Sequence, residues 1–122
     1  MKIGKYCGRL LTVTGVLHII VMLFIYASTY LSIFQDKIID SIGDNAQRNA
    51  ALWAIMIGIL LVLWGETLQC YQNETSKPAP LFIGYGILSF SVIGCILMPV
   101  SGFWLFIPQA IIIIAANKIN WK

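Results

Sequence analysis

The sequence predicts an all-α integral membrane fold, four transmembrane helices in an antiparallel bundle with a short amphipathic helix in the first loop, and three observations carry it. Apolar residues make up 59% of the 122 residues and charged residues only 11%, against about 25% charged in an ordinary soluble domain. Mean hydropathy is +0.85, and several uncharged runs approach the ~20 residues a helix needs to cross a bilayer. Lys and Arg are concentrated in alternate loops. Together these exclude a cytosolic enzyme, a secreted disulfide scaffold and a disordered regulator. Residues 1–122 are expected to form a single domain.

The first expected span, 10–34, contains no charged residue. The second, 50–71, is uncharged from Ala50 to Gly65 and continues through Glu66 to Tyr71. A third covers 81–98 and ends at Pro99; a fourth, 103–116, is short and borrows its flanks. Runs of this length are helical because lipid offers no partner for backbone N–H and C=O groups.

Orientation follows from the loops. Lys2, Lys5, Arg9, Lys77, Lys118 and Lys122 fall on one side, and Lys37 and Arg48 on the other. The positive-inside rule puts both termini in the cytoplasm. The net charge of +3 is this asymmetry; it needs no nucleic-acid partner, and six positive charges spread over three segments make a weak lipid-binding cluster. The N-terminal run is too long for a signal peptide and has no convincing cleavage site near Ala27 and Ser28, so it reads as a permanent helix. Cys7, Cys70 and Cys95 form no C-x-x-C pair, which argues against thiol redox chemistry.

In the loop from Gln35 to Asn49, Phe34, Ile38, Ile42 and Ala46 recur at four-residue steps, the stripe of an amphipathic helix lying on the outer surface. Gly43 interrupts it, and Asp44 with Gln47 three residues on has the form of a capping box for the second span. Asn73 to Pro80 is a polar turn, with Pro78 and Pro80 suited to a helix first turn. Its Asn73-Glu74-Thr75 sequon would stay unused on the cytoplasmic side. Pro99 to Gly102 is so short that spans three and four must form a hairpin.

Small residues let helices approach closely in lipid. Ala51, Ala54, Gly58, Leu61 and Gly65 line one face of span two; Gly8, Thr12 and Gly15 in span one, and Gly84, Ser91 and Cys95 in span three, make narrower stripes. These seams serve helix contact first and a homodimer second.

Two ionisable residues lie well inside the spans, His18 and Glu66. Counted from Leu10 and Tyr71, their depths are roughly 12 Å and 8 Å, so adjacent antiparallel helices would bring imidazole and carboxylate together, a cheaper arrangement in lipid than leaving each alone. Tyr85 and Ser89 on span three, Gln109 on span four, and Thr14 and Gln69 fall near the same level. Pro108 inside span four would kink it and free the Trp104 carbonyl, opening a small pocket beside Gln109.

Three readings compete for this layer. It is a set of interhelical hydrogen bonds, each worth about 0.6–2 kcal/mol, that fix the bundle. Or it binds, and exports, a small amphiphilic or cationic ligand, with His18, Glu66, Tyr85, Ser89 and Gln109 as the polar groups and Trp64, Trp104 or Trp53 as aromatic walls. Or it is catalytic, with His18 as acid, base or ligand. The third is the weakest: one histidine cannot supply the two imidazoles of a membrane b-type haem, and His18, Glu66 and Cys70 are spread over roughly 10 Å of depth. The expectation is a ligand-binding or transport protein, not an enzyme, with no cofactor and no metal. The alternative is a non-enzymatic accessory or structural subunit of a larger membrane complex. Its partners would be the lipid bilayer, an amphiphilic ligand, and a second copy or another membrane protein.

The stretch Met98-Pro99-Val100-Ser101-Gly102-Phe103-Trp104-Leu105 with Pro108, and the Gly15-Val16-Leu17-His18 turn in span one, resemble an uncharacterised family of small four-helix bacterial inner-membrane proteins. These carry a histidine in helix one and a Pro-x-Ser-Gly-Phe-Trp turn before helix four. The resemblance implies a four-helix bundle in a bacterial membrane and brings no catalytic residues. By span count and size alone the chain is also similar to DoxX-like membrane proteins. It departs from small multidrug exporters, whose glutamate lies on the first helix, where this chain has His18.

Overall fold

The computed structural model describes residues 2–119 and is helical throughout, in the order of five α-helices with two 3₁₀ segments. A 3₁₀ turn, Lys2–Tyr6, leads into α1 (Cys7–Ile25); α2 (Ala27–Gln35), α3 (Ala46–Thr75) and α4 (Leu81–Leu97) follow, and a second 3₁₀ segment, Gly102–Leu105, opens into α5 (Phe106–Lys118). Two segments, Gly4–Ile25 and Ala46–Thr75, are long and apolar enough to cross a membrane; Leu81–Leu97 and Gly102–Lys118 are shorter apolar helices.

The expected first span is two helices, not one. The chain bends at Tyr26 (φ −103°, ψ 20°), although its N–H still bonds to Met22 O at 3.0 Å and its carbonyl accepts from Tyr30 N at 2.9 Å. Beyond the bend the Tyr30 hydroxyl donates to Ala51 O at 2.8 Å, tying α2 to the start of α3.

The expected amphipathic helix in the first loop is absent. Lys37, Ile38 and Asp40 have φ of 68°, 68° and 56°, and Gly43 has 48°, so the four-residue stripe never comes onto one helical face. Tertiary bonds outweigh the pattern: the Arg48 guanidinium donates to Ser41 O and to the Asp36 carboxylate, folding the loop back on α3. The cap of α3 is likewise one residue later than expected. Asn45, not Asp44, accepts from Gln47 N and Arg48 N, both at 3.0 Å, which satisfies two of the first free amides of the helix.

Two smaller expectations also shift. Pro80 is the residue before α4, its carbonyl accepting from Ile83 N at 3.0 Å, so neither Pro78 nor Pro80 lies in the first turn. Pro108 does not kink a helix interior, because α5 begins only at Phe106. In a first turn the missing proline N–H removes no bond the helix would make.

The helices stand as two antiparallel pairs. α1 packs along α3 and α5 along α4, and α1 meets α5 in the middle, so that α3 and α4 flank the assembly. The seam on α3 is used within the chain: a Cβ on Gly65 would lie 2.5 Å from Thr12 N, one on Gly8 2.4 Å from Gln69 N, and one on Gly15 2.9 Å from Val62 N. In the other pair, Gly84 faces Ile113 and Ile114, and Gly94 faces the Phe103 ring. Gly94 thus completes the small stripe on α4 where Cys95 was expected. Cys7, Leu11 and Leu68 of the first pair join Ile87, Phe106, Ala110 and Ile113 of the second in one buried cluster. Outside it, large apolar side chains such as Phe24, Leu60, Phe82, Ile96 and Leu97 are exposed.

Candidate functional site

The polar residues expected to share one layer separate into different places. His18 and Glu66 do not meet. Gly15 faces Val62 and Gly58 faces Ile19, which sets His18 level with Gly58 and leaves Glu66 eight residues, or roughly 12 Å, further along α3. Counting depth from Leu10 and Tyr71 sets those two residues level, whereas the contacts set Gly8 against Gln69 and Thr12 against Gly65, a register shifted by about four residues. His18 donates through Nε2–H to Ala54 O at 3.0 Å.

Glu66 instead closes on α1. Its carboxylate accepts from Arg9 Nη1 at 2.9 and 3.1 Å and from the Thr12 hydroxyl at 2.9 Å. One turn on, Gln69 accepts from Arg9 N at 3.1 Å and donates to Lys5 O and Asn73 Oδ1, each at 3.0 Å. Gln72 accepts from Gly8 N at 3.4 Å and donates to Gly4 O at 2.9 Å. Both glutamines are buried. α1 has no side-chain cap of its own at Tyr6, and the opening amides of a helix have no intrahelical acceptor. Gln69 and Gln72 supply acceptors from α3, so this polar row is the N-terminal cap of α1 delivered by another helix.

Of the remaining expected site residues, only Gln109 reaches another helix. Its Nε2 donates to the Thr14 hydroxyl, joining α5 to α1, while its buried Oε1 has no partner. Reversing the amide would not repair this. The Thr14 proton is already given to Leu10 O at 2.9 Å, so one polar atom of Gln109 stays unsatisfied either way. Tyr85 and Ser89 lie exposed on α4, and Trp53, Trp64 and Trp104 also face outward. Trp104 donates its indole N–H to Pro99 O at 2.8 Å, closing the hairpin turn. Among the described residues, no aromatic wall assembles around Glu66.

Reading the sequence for depth missed the partners that matter here. Arg9 passed as a flanking charge, and Gln72 was not singled out. The signal was present in the three-residue spacing of Glu66, Gln69 and Gln72, which places them on one helical face. Also missed were the hydroxyls Ser28, Thr29 and Ser32, which with Asn45, Gln47 and Arg48 line a polar pocket of about 210 Å³ at the opposite end. A second pocket, about 230 Å³, lies beside Lys5, Gln72, Asn73 and Ser76. Among the described residues, no three His, Cys, Asp or Glu side chains come together to hold a metal ion.

Compared with known proteins, residues 2–120 match the model of a family of unknown function (DUF6463), and the chain belongs to that family. No curated protein and no solved structure matches it.

Proposed function

We propose that this member of the DUF6463 family is a four-span protein of the bacterial inner membrane, with both termini in the cytoplasm, that acts as a non-enzymatic accessory or structural subunit. The helical hairpin of α4 and α5 packed against α1 supports four spans, and the six-to-two division of Lys and Arg between the two ends supports the orientation. The likeness to DoxX-like proteins rests on span count and size and adds no residues to this reading.

The observation that carries the functional part is the state of Glu66. A membrane carboxylate that binds a cationic amphiphile, or exchanges it for a proton, must have its charge free for the ligand. Here the carboxylate, though half-exposed, is already paired with Arg9 and hydrogen-bonded by Thr12, and His18 is bonded elsewhere. The row holds two helices in register, which is the business of a scaffold. Tyr85 and Ser89, exposed on the flanking helix α4, form no side-chain hydrogen bond among the described residues and supply the polar contacts that a neighbouring membrane protein or a second copy would meet.

Thermal unfolding of the detergent-purified protein, screened with amphiphilic cations, lipids and quinones in wild type and Glu66→Gln, separates the two uses. A scaffold should show no ligand-dependent rise at the Glu66 row, and Glu66→Gln should cost less than about 1 kcal/mol, the scale of an exposed ion pair. A saturable rise with a cation, about 2.7 kcal/mol at one hundred times its Kd, that disappears in Glu66→Gln would restore the ligand-binding and transport reading. Photo-crosslinking from position 85, set beside position 53 on α3, then tests the accessory role: a discrete protein adduct from α4 alone is expected, and lipid adducts alone from both positions would oppose it.

A further inference from the structure

We propose that the pocket between α2 and the first turn of α3 binds a small oxyanion, a phosphate or carboxylate group. The bend at Tyr26 turns Ser28, Thr29 and Ser32 toward Asn45, Gln47 and Arg48, and the six residues line an open recess of about 210 Å³. That space suits a group and not a drug-sized molecule.

Thr29 is the residue that points to a ligand. The chain has five threonines, and four of them give their hydroxyl protons to a carbonyl or carboxylate within the protein: Thr14, Thr67 and Thr75 bond to the carbonyl four residues back, and Thr12 to Gly8 O and Glu66. That is the usual way a helix silences a hydroxyl. Thr29 is only 6% exposed, yet its hydroxyl makes no hydrogen bond among the described residues, and it borders the pocket. Its hydroxyl therefore opens onto the pocket, where a bound group would accept its proton.

The electrostatics choose the sign of the occupant. The pocket sits at the N-terminus of a 30-residue helix, where the backbone dipoles present a partial positive charge. Arg48 adds a guanidinium, and the side chains of Ser28 and Gln47, like that of Thr29, are free of hydrogen bonds among the described residues. Asn45 is spent on the cap, and the Ser32 hydroxyl on Thr29 O at 2.8 Å. Two acidic groups oppose an anion: Asp36 holds Arg48 Nη2 from outside the set of lining residues, and Asp44 adjoins the lining residue Asn45 in the chain, while Arg48 Nη1 is given to Ser41 O. An oxyanion accepts from the Ser28 and Thr29 hydroxyls and the Gln47 amide and competes with Asp36 for the guanidinium, a donor set that a neutral apolar ligand would leave unpaired.

The full-length protein, purified in a phosphate-free, phospholipid-free detergent, tests this by thermal unfolding against inorganic phosphate and short-chain phosphatidylglycerol. Sodium chloride at matched ionic strength and diacylglycerol serve as controls. Saturable stabilisation is expected from at least one phosphate-bearing probe. A response to inorganic phosphate identifies a free-anion site, and a response to phosphatidylglycerol alone identifies a lipid headgroup. Thr29→Val, which keeps the shape and breaks no bond within the chain, should weaken the apparent affinity about tenfold without shifting the ligand-free midpoint. Asp36→Asn should tighten it by releasing Arg48. Stabilisation by neither probe, equal stabilisation by sodium chloride, or an unchanged affinity in Thr29→Val would each overturn the proposal.

Discussion

The two helix pairs are built from similarly apolar sequence and are held together by different means. In the α1/α3 pair, glycines bring backbone onto backbone, and a row of buried amides and one ion pair then fixes the register. The α4/α5 pair is joined mainly by side-chain interlock: Gly94 receives the face of Phe103, and Phe90 meets Phe103 and Phe106 edge-on at 5.1 and 6.1 Å. The lesson is that close backbone approach demands polar satisfaction. Where α1 begins against α3 it has uncapped amides that only the neighbouring helix can reach. The α4/α5 turn instead satisfies itself, with Ser101 Oγ donating to Met98 O at 2.6 Å and Trp104 to Pro99 O.

Substitutions that break this contrast should be graded. Gly65→Val should have the largest effect, because its Cβ would fall 2.5 Å from Thr12 N and 2.8 Å from Gly8 O, backbone that cannot rotate away. A loss at or above the upper end of the about 1–3 kcal/mol of overpacking is expected, read as a fall in the midpoint of helicity loss in mixed detergent micelles. Gln72→Leu comes next. It strips Gly4 O and Gly8 N of a buried partner, at about 1–3 kcal/mol, and hydrogen exchange should accelerate selectively at the first turn of α1.

Gly94→Ala tests the other pair with a smaller change. The new methyl meets the Phe103 ring, 2.3 Å from Cγ and Cδ1, so the whole ring must swing and loosen its contact with Phe90. The loss should be about 1–3 kcal/mol, still below that of Gly65→Val because side chain and not backbone gives way; a loss equal to Gly65→Val would show that the two interfaces are equally rigid. Gly86→Ala sharpens the comparison from the opposite side. Nothing lies within 4 Å of its Cβ position, so helix propensity alone should make the change neutral or stabilising by up to about 1 kcal/mol. Destabilisation there, in membranes but not in detergent, would reveal a partner seated on α4.

How far these features were readable from the sequence depends on their range. The long apolar runs identified the helical segments 50–71 and 81–98 to within a few residues, since an uncharged run of that length bounded by polar turns reads as helix and is too long for a strand. The small-residue stripes on α1 and α3 were readable for the same reason: periodicity of 3.6 puts them on one face. The loop between α2 and α3 was misread because Arg48, twelve residues from Asp36, captures Asp36 and Ser41 by side-chain bonds that no local period records. The partners of Glu66 depended on a single quantity, the register of α1 against α3. A shift of a few residues moved Glu66 from His18 to Arg9 and Thr12.

By itself, then, the sequence determined that this is an all-helical chain with apolar segments, which faces of α1 and α3 are narrow enough to touch, and that a few polar side chains must find partners among them. Those are consequences of composition and helical period, which each segment carries alone. The tertiary structure decided which partners they find: Glu66 with Arg9, the two glutamines with the start of α1, Gln109 with Thr14, and Thr29 with an open pocket. Hydrogen bonds act over about 3 Å, while one residue of sliding moves a helix by about 1.5 Å. Pairing therefore rests on a register that glycine contacts between distant segments set, and no single segment contains it.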